Sequence, residues 1–207
     1  MAMPIVLVRH GETALNAARV LQPADTPLSD RGQAQAAAVA RRIAARGAVA
    51  AVLSSDLPRA WVTAQAVAAA AGAPLQSTAL LQERNFGALR GRPYDTLGFD
   101  PLQMADAPPG GESAAQFERR VQAAFADMCR LRATLDADLV VVTHGLLIRR
   151  LLAGPLRCAA DTLEGLHLAN TSVSIFDASP PHALRLLNCT RHLQDGAQDD
   201  ARALSGG

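Results

Sequence analysis

Two apolar runs in this chain end in the same pair of residues. Ile5-Val6-Leu7-Val8 leads into Arg9-His10-Gly11, and Leu139-Val140-Val141-Val142 leads into Thr143-His144-Gly145. A run of β-branched and leucine residues without alternation is the pattern of a strand buried on both faces. Such strands belong to parallel sheets covered by helices, so the pattern constrains the chain to the α/β class. A third run, Ala50-Ala51-Val52-Leu53, ends in Ser54-Ser55, and a helical stretch with Arg59 near its first turn follows it. With the three strands parallel, Arg9, His10, Arg59 and His144 meet at the carboxyl rim, where open α/β sheets bind ligands. Two guanidiniums and two imidazoles in one cleft suit a doubly charged phosphate, with Arg supplying paired donors.

The rest of the chain reads as the connections such a sheet needs. Ser29 is a good N-cap for an Ala-rich helix to about Arg46, with Gly47 after it. A second helix runs from about Pro58 to Ala71 and stops at Gly72. Residues 75–82 hold a short strand, and Glu83 follows on a loop. The stretch from Phe86 to Gly111 is irregular and reads as a lid. Ser113 and Gln116 fit a capping box, and Phe117, Val121, Ala124, Phe125 and Met128 form the buried stripe of the helix it opens. Leu146 to Leu152 is a short helix ended by Gly154-Pro155, and residues 172–176 and 183–187 form a terminal hairpin. The whole reads as one domain over residues 1–193, with a polar, frayed tail at 194–207.

Charge and composition exclude several classes. A net charge of +1 is too small for a nucleic-acid binder, so any positive potential is local. All 20 cationic residues are Arg, which excludes a P-loop lysine and a Schiff-base lysine. Cys129, Cys158 and Cys189 are odd in number and far apart; they read as reduced thiols with no metal spacing and no disulfide framework. No apolar run is long enough to span a membrane. The first strand starts within a few residues of Met1, so no leader is expected and the cytoplasm is the default location.

Four motifs carry a resemblance. Arg9-His10-Gly11-Glu12-Thr13 with Asn16, Ser54-Ser55-Asp56-Leu57-Pro58-Arg59-Ala60, Glu83 within Gln82-Glu83-Arg84-Asn85-Phe86-Gly87, and Thr143-His144-Gly145 occur in this order. In order and context they resemble the histidine phosphatase superfamily, in its phosphoglycerate-mutase-like branch, to about residue 190. The resemblance implies a three-layer α/β/α sandwich around a mostly parallel sheet. It implies that His10, Glu83 and His144 are catalytic and that Arg9, Asn16, Arg59 and Thr13 bind phosphate. Neutral His10 attacks phosphorus while a backbone carbonyl holds its other ring nitrogen, giving a phosphohistidine. Glu83 is by resemblance the proton donor to the leaving oxygen, which requires a carboxyl raised toward neutrality by burial. Arg84 is therefore expected to point away from it. One departure stands out: Gln22-Pro23 replaces a common Gln-Gly, which leaves the path of residues 17–28 and any contact by Gln22 open.

The short interval between Glu83 and His144, with Gly110-Gly111-Glu112-Ser113 inside it, resembles the phosphatase members more than the mutases. The expected activity is hydrolysis of a small phosphomonoester without metal or cofactor. A cofactor-dependent phosphoglycerate mutase and a non-catalytic phospho-ligand sensor are the alternatives. Candidate substrates by resemblance are α-ribazole phosphate, sugar phosphates and phosphoglycerates; a homodimer is an open option.

Overall fold

The computed structural model describes residues 4–193, and the tail expected at 194–207 lies outside them. The elements in chain order are β1 (Pro4–Arg9), α1 (Ala14–Ala17), α2 (Asp30–Arg46), β2 (Val49–Ser54), α3 (Pro58–Ala71), β3 (Leu75–Ser77), α4 (Ala114–Ala133), β4 (Asp138–Thr143), α5 (Gly145–Ala153), α6 (Ala160–Leu163), β5 (Val173–Asp177) and β6 (Leu184–Cys189). The strands form one sheet in the order β3-β2-β4-β1-β5-β6. β1 to β4 are parallel, with Val6 opposite Val140 and Val52 opposite Val140 on the other side. β5 runs antiparallel to β1 and to β6, so the expected terminal hairpin forms one edge.

Successive side chains of the central strands alternate between two cores, as strand geometry requires. Ile5, Leu7, Leu53, Leu139 and Val141 pack with Phe117, Val121 and Met128 of α4 and Leu147, Ile148 and Leu151 of α5. Val6, Val8, Val52, Val140 and Val142 pack with Val39 and Ile43 of α2 and Ala64 and Val67 of α3. Helices on both faces make the three-layer α/β/α sandwich. Both faces of β1 and β4 are buried, which is why their sequences lack alternation.

The capping signals act as read. Ser29 caps α2 through the Gly32 N–H, Gly72 ends α3 in the left-handed conformation, and Ser113 and Gln116 close a reciprocal capping box. The short strand expected within 75–82 is β3, which ends at Ser77, where the Thr78 hydroxyl accepts from the Leu80 N–H and starts a 3-10 turn over Ala79–Leu81. The 13–28 loop contains α1, capped by Thr13.

The loop after β1 lies backbone to backbone on the start of α2. A Cβ on Gly11 would meet the Gly32 carbonyl oxygen at 2.5 Å, and one on Gly32 would meet the Glu12 carbonyl oxygen at 2.0 Å. Alanine is the better helix former by about 1 kcal/mol, yet this contact is with backbone and cannot yield cheaply. Overpacking of this kind costs about 1–3 kcal/mol. Gly32→Ala is therefore expected to lower the urea midpoint of unfolding rather than raise it; a stabilised variant would show that the loop is free to move off α2.

Candidate active site

Three parallel strand ends deliver the first residues of the site. Leaving β1, His10 gives its backbone N–H to the Thr143 carbonyl at the end of β4, at 2.9 Å. The His10 carbonyl accepts from the Asn170 side chain at 3.0 Å and from the Thr171 N–H at 3.2 Å. The backbone of His10 is thus fixed from the end of β4 and from the segment that leads into β5. Its ring Nδ1 lies 2.7 Å from the Gly11 carbonyl. A carbonyl can only accept, so Nδ1 carries the proton and Nε2 presents a lone pair. Nε2 is buried and has no hydrogen-bond partner among the described residues. The His144 ring faces it, with centroids 5.0 Å apart and planes tilted by 59°.

The two guanidiniums converge there as well. Arg9 and Arg59 are buried, at 0% and 2% exposure. Arg9 donates to the Leu168 carbonyl, and Arg59, in the first turn of α3, donates to the Pro23 carbonyl at 3.3 Å. The Gly11 N–H donates to the Thr63 hydroxyl at 3.1 Å, which itself donates to the Arg59 carbonyl at 2.8 Å. This chain of bonds couples the position of α3 to the loop that carries His10.

Asn16 is fully buried, with its Nδ2 unpartnered among the described residues. Thr13 is used differently from a direct phosphate donor. Its single hydroxyl proton goes to Gln22 Oε1 at 2.7 Å, and its oxygen accepts the Asn16 N–H at 3.0 Å. Thr13 thereby fixes Gln22, whose Nε2 is buried and unpartnered among the described residues. The substitution of Pro23 for glycine does not expel Gln22; the Pro23 carbonyl instead meets Arg59.

Two contributions escaped the sequence reading. Gln22 was noticed without a role, and Ser55 was noticed only as a strand-end hydroxyl. Ser55 Oγ lies 2.8 Å from His144 Nε2 and accepts the Leu57 N–H at 3.3 Å. Its position immediately after an apolar strand was the available signal.

Glu83 is 4% exposed, and its two oxygens accept the N–H groups of Leu146 and Arg84, each at 3.0 Å. Leu146 lies in the first turn of α5, so the carboxyl meets a helix N-terminus. The Arg84 side chain turns away, as expected, toward the Glu112 and Met104 carbonyls at 3.2 and 2.7 Å.

Electrostatics follow from this packing. Burial first, then Arg59 and Arg9, hold His10 well below the usual imidazole range, against the smaller opposing effect of its bond to Gly11. Burial, Arg59, His10, Arg9 and Arg120 do the same to His144. Burial raises Glu83 to about 7, outweighing the Leu146 and Arg84 N–H bonds and the charges of Arg59 and Arg9. Burial brings Arg59 down to about 10, so it stays cationic at neutral pH. At neutral pH the rim therefore holds two cations, two neutral imidazoles and a carboxyl close to half protonated.

Residues 5–190 match the histidine phosphatase superfamily (branch 1). The chain belongs to that superfamily. A relative from Yersinia pestis (strain Pestoides F), named "Probable phosphoglycerate mutase GpmB", is 36% identical over 185 residues, covering 84% of this chain and 85% of the relative. Among solved structures, mycobacterial glucosyl-3-phosphoglycerate phosphatase superposes with a TM-score of 0.74 at 26% identity, over 92% of this chain and 100% of that one. A mutant phosphoserine phosphatase from Entamoeba histolytica in complex with phosphoserine gives 0.77 at 26% identity, over 92% and 98%. The histidine phosphatase match spans every element from β1 to β6.

The Glu83 shift has a consequence for stability. The unfolded carboxyl titrates at 4.5 and the folded one at about 7. Below pH 4.5 both states are protonated, and the stability tied to this group is fully present. Between these values the unfolded chain ionises while the folded one does not. Stability then falls as pH rises, by up to about 3 kcal/mol, and the fall ends above pH 7. Glu83→Gln is expected to lack that fall in urea unfolding measured from pH 5 to 8. Parallel profiles for the two proteins would mean that Glu83 ionises as easily folded as unfolded.

Proposed function

We propose that this histidine phosphatase superfamily member hydrolyses a small phosphomonoester through a phosphohistidine on His10. The observation that carries the reading is the His10 ring: Nδ1–H is tied to the Gly11 carbonyl, and Nε2 is buried, unprotonated and without a partner among the described residues, beside Arg9 and Arg59.

In the proposed first step the Nε2 lone pair forms a bond to phosphorus as the bond to the leaving oxygen breaks. Glu83, protonated in part at neutral pH, gives its proton to that oxygen. The charge spread over the nonbridging oxygens is held by Arg9, Arg59, the Asn16 and Gln22 amides and His144. Thr13 acts through Gln22, fixing its amide. Ser55 acts through His144: a hydroxyl that already accepts the Leu57 N–H has its own proton to give to Nε2, which leaves Nδ1 of His144 as the donor toward phosphate. In the second step water attacks phosphorus, Glu83 takes its proton, the N–P bond breaks, and inorganic phosphate leaves. Both enzyme groups return to their starting protonation. No step uses a metal or a cofactor, and no group of three or more His, Cys, Asp or Glu among the described residues is placed to hold a metal ion.

Hydrolysis is favoured over transfer by the make-up of the chain between Glu83 and His144. Three 3-10 turns, α4 and β4 fill it, with no further domain to exclude water. The mutase reading is supported by the name of the Yersinia relative. The sensor reading is disfavoured by an acid and a nucleophile both in reactive protonation states. The test is a panel of phosphomonoesters, including phosphoserine, sugar phosphates and phosphoglycerates, scored for released phosphate beside a mutase assay primed with bisphosphoglycerate. Phosphate release that survives a chelator and disappears in His10→Ala is the expected result. Interconversion of phosphoglycerates without release would make the protein a mutase. Activity lost to chelator and restored by a divalent ion would contradict the metal-free mechanism.

A further inference from the structure

Glu83 lies between two 3-10 turns, Ala79–Leu81 and Gly87–Leu89, in a stretch with no helix or strand of its own. General acid catalysis nevertheless requires its carboxyl at hydrogen-bond reach of one oxygen. The segment is held from α4. Arg120 Nη1 donates to the carbonyls of Leu80 at 3.0 Å and Gln82 at 2.6 Å, and Nη2 donates to the carbonyl of Glu83 itself at 3.2 Å. Nε and Nη2 also donate to the Glu112 carboxylate, at 2.9 and 2.7 Å. All five N–H bonds of one guanidinium are used, which fits its fixed fork geometry. Its carbon lies 5.0 Å from the centre of the Phe117 ring, which limits its movement.

Glu112 completes the arrangement. Its carboxylate accepts the Asn85 N–H at 3.3 Å, its own N–H donates to the Asn85 carbonyl at 2.8 Å, and its carbonyl accepts from Arg84. The glycines before it allow the approach: a Cβ on Gly111 would meet the Asn85 carbonyl oxygen at 2.7 Å. The pair is part-buried, with side-chain exposures of 18% and 15%, so it is more than a mobile surface ion pair.

We propose that Arg120, paired with Glu112, is the positioning residue for the Glu83 carboxyl. This rests on the reading of Glu83 as the proton donor. The Arg120 guanidinium bonds go to the Leu80, Gln82 and Glu83 carbonyls and to Glu112, so it sets the backbone from which Glu83 projects, and Glu83 meets α5 through the Leu146 N–H on the other side. Misplacing a catalytic group by about 1 Å from a distant site costs about 10²-fold in rate.

The test measures single-turnover phosphorylation at saturating substrate for phosphomonoesters running from aryl to alkyl leaving groups. Glu83→Gln sets the reference: alkyl rates fall and aryl rates are largely spared, because a low-pKa leaving group needs little protonation. Arg120→Ala is expected to show the same selectivity, with alkyl rates down about 10²-fold, and to add nothing to the alkyl loss when combined with Glu83→Gln. Arg120→Lys has three donors for five acceptors and is expected to show a smaller selective loss; it carries the test if the alanine variant does not fold. Equal slowing of alkyl and aryl substrates, unchanged alkyl rates, or losses that add to Glu83→Gln would overturn the proposal while leaving the acid in place. Equal slowing by Glu83→Gln itself would remove Glu83 as the acid and the proposal with it.

Discussion

The structure depends on one electrostatic condition: two guanidiniums, two imidazoles and a carboxyl are buried together at the end of the sheet. The Arg9 and Arg59 guanidiniums donate to the carbonyls of Leu168 and Pro23, and the His10 ring donates to the carbonyl of Gly11. Carbonyl oxygens orient these groups at the rim. Burial and the two cations keep the imidazoles neutral, while burial, against the pull of the same cations, keeps the Glu83 proton to about pH 7. A neutral nucleophile and a protonated acid are the two states that phosphoryl transfer to histidine requires, and burial contributes most to both.

The fold makes the condition affordable. Apolar strands with no polar side chain in their interiors carry the rim residues out of two tightly packed cores. Backbone contact between Gly11 and Gly32, and the Thr63 link between Gly11 and Arg59, leave the His10 loop little freedom. Glu83 arrives differently, on a segment clamped from α4, and its carboxyl is held on the other side by the Leu146 N–H at the start of α5. The proposed nucleophile and the proposed acid therefore belong to separately supported parts of the molecule.

What the sequence made legible was what lies next to a strand end. His10, Arg9 and His144 follow apolar runs directly, and Arg59 opens a helix after one, so local pattern and parallel topology were enough to bring them together. The caps at Ser29, Gly72 and Ser113 are local in the same sense. Glu83 was reached by resemblance, since a loop carboxylate has no local signature of burial. The bond from Thr13 to Gln22 was not legible because Gln22 is nine residues away on a path that Pro23 obscured. Ser55 and Arg120 act across 89 and 37 residues, on His144 and the Glu83 carbonyl, and no periodicity announces such contacts. The short β3 reflects a Thr78 cap overriding strand propensity.

The central claim is that Nε2 of His10 accepts the phosphoryl group. It is tested most directly by quenching Glu83→Gln in alkali during turnover of an aryl phosphate and assigning the phosphorylated nitrogen by phosphorus NMR and peptide mapping. Glutamine cannot take a proton from water, so the second step is slowed and the covalent state accumulates. The account predicts phosphate on Nε2 of His10, because Nδ1 is committed to the Gly11 carbonyl. Phosphate on Nδ1, phosphate on His144, or turnover with no phosphohistidine at any time point would contradict it.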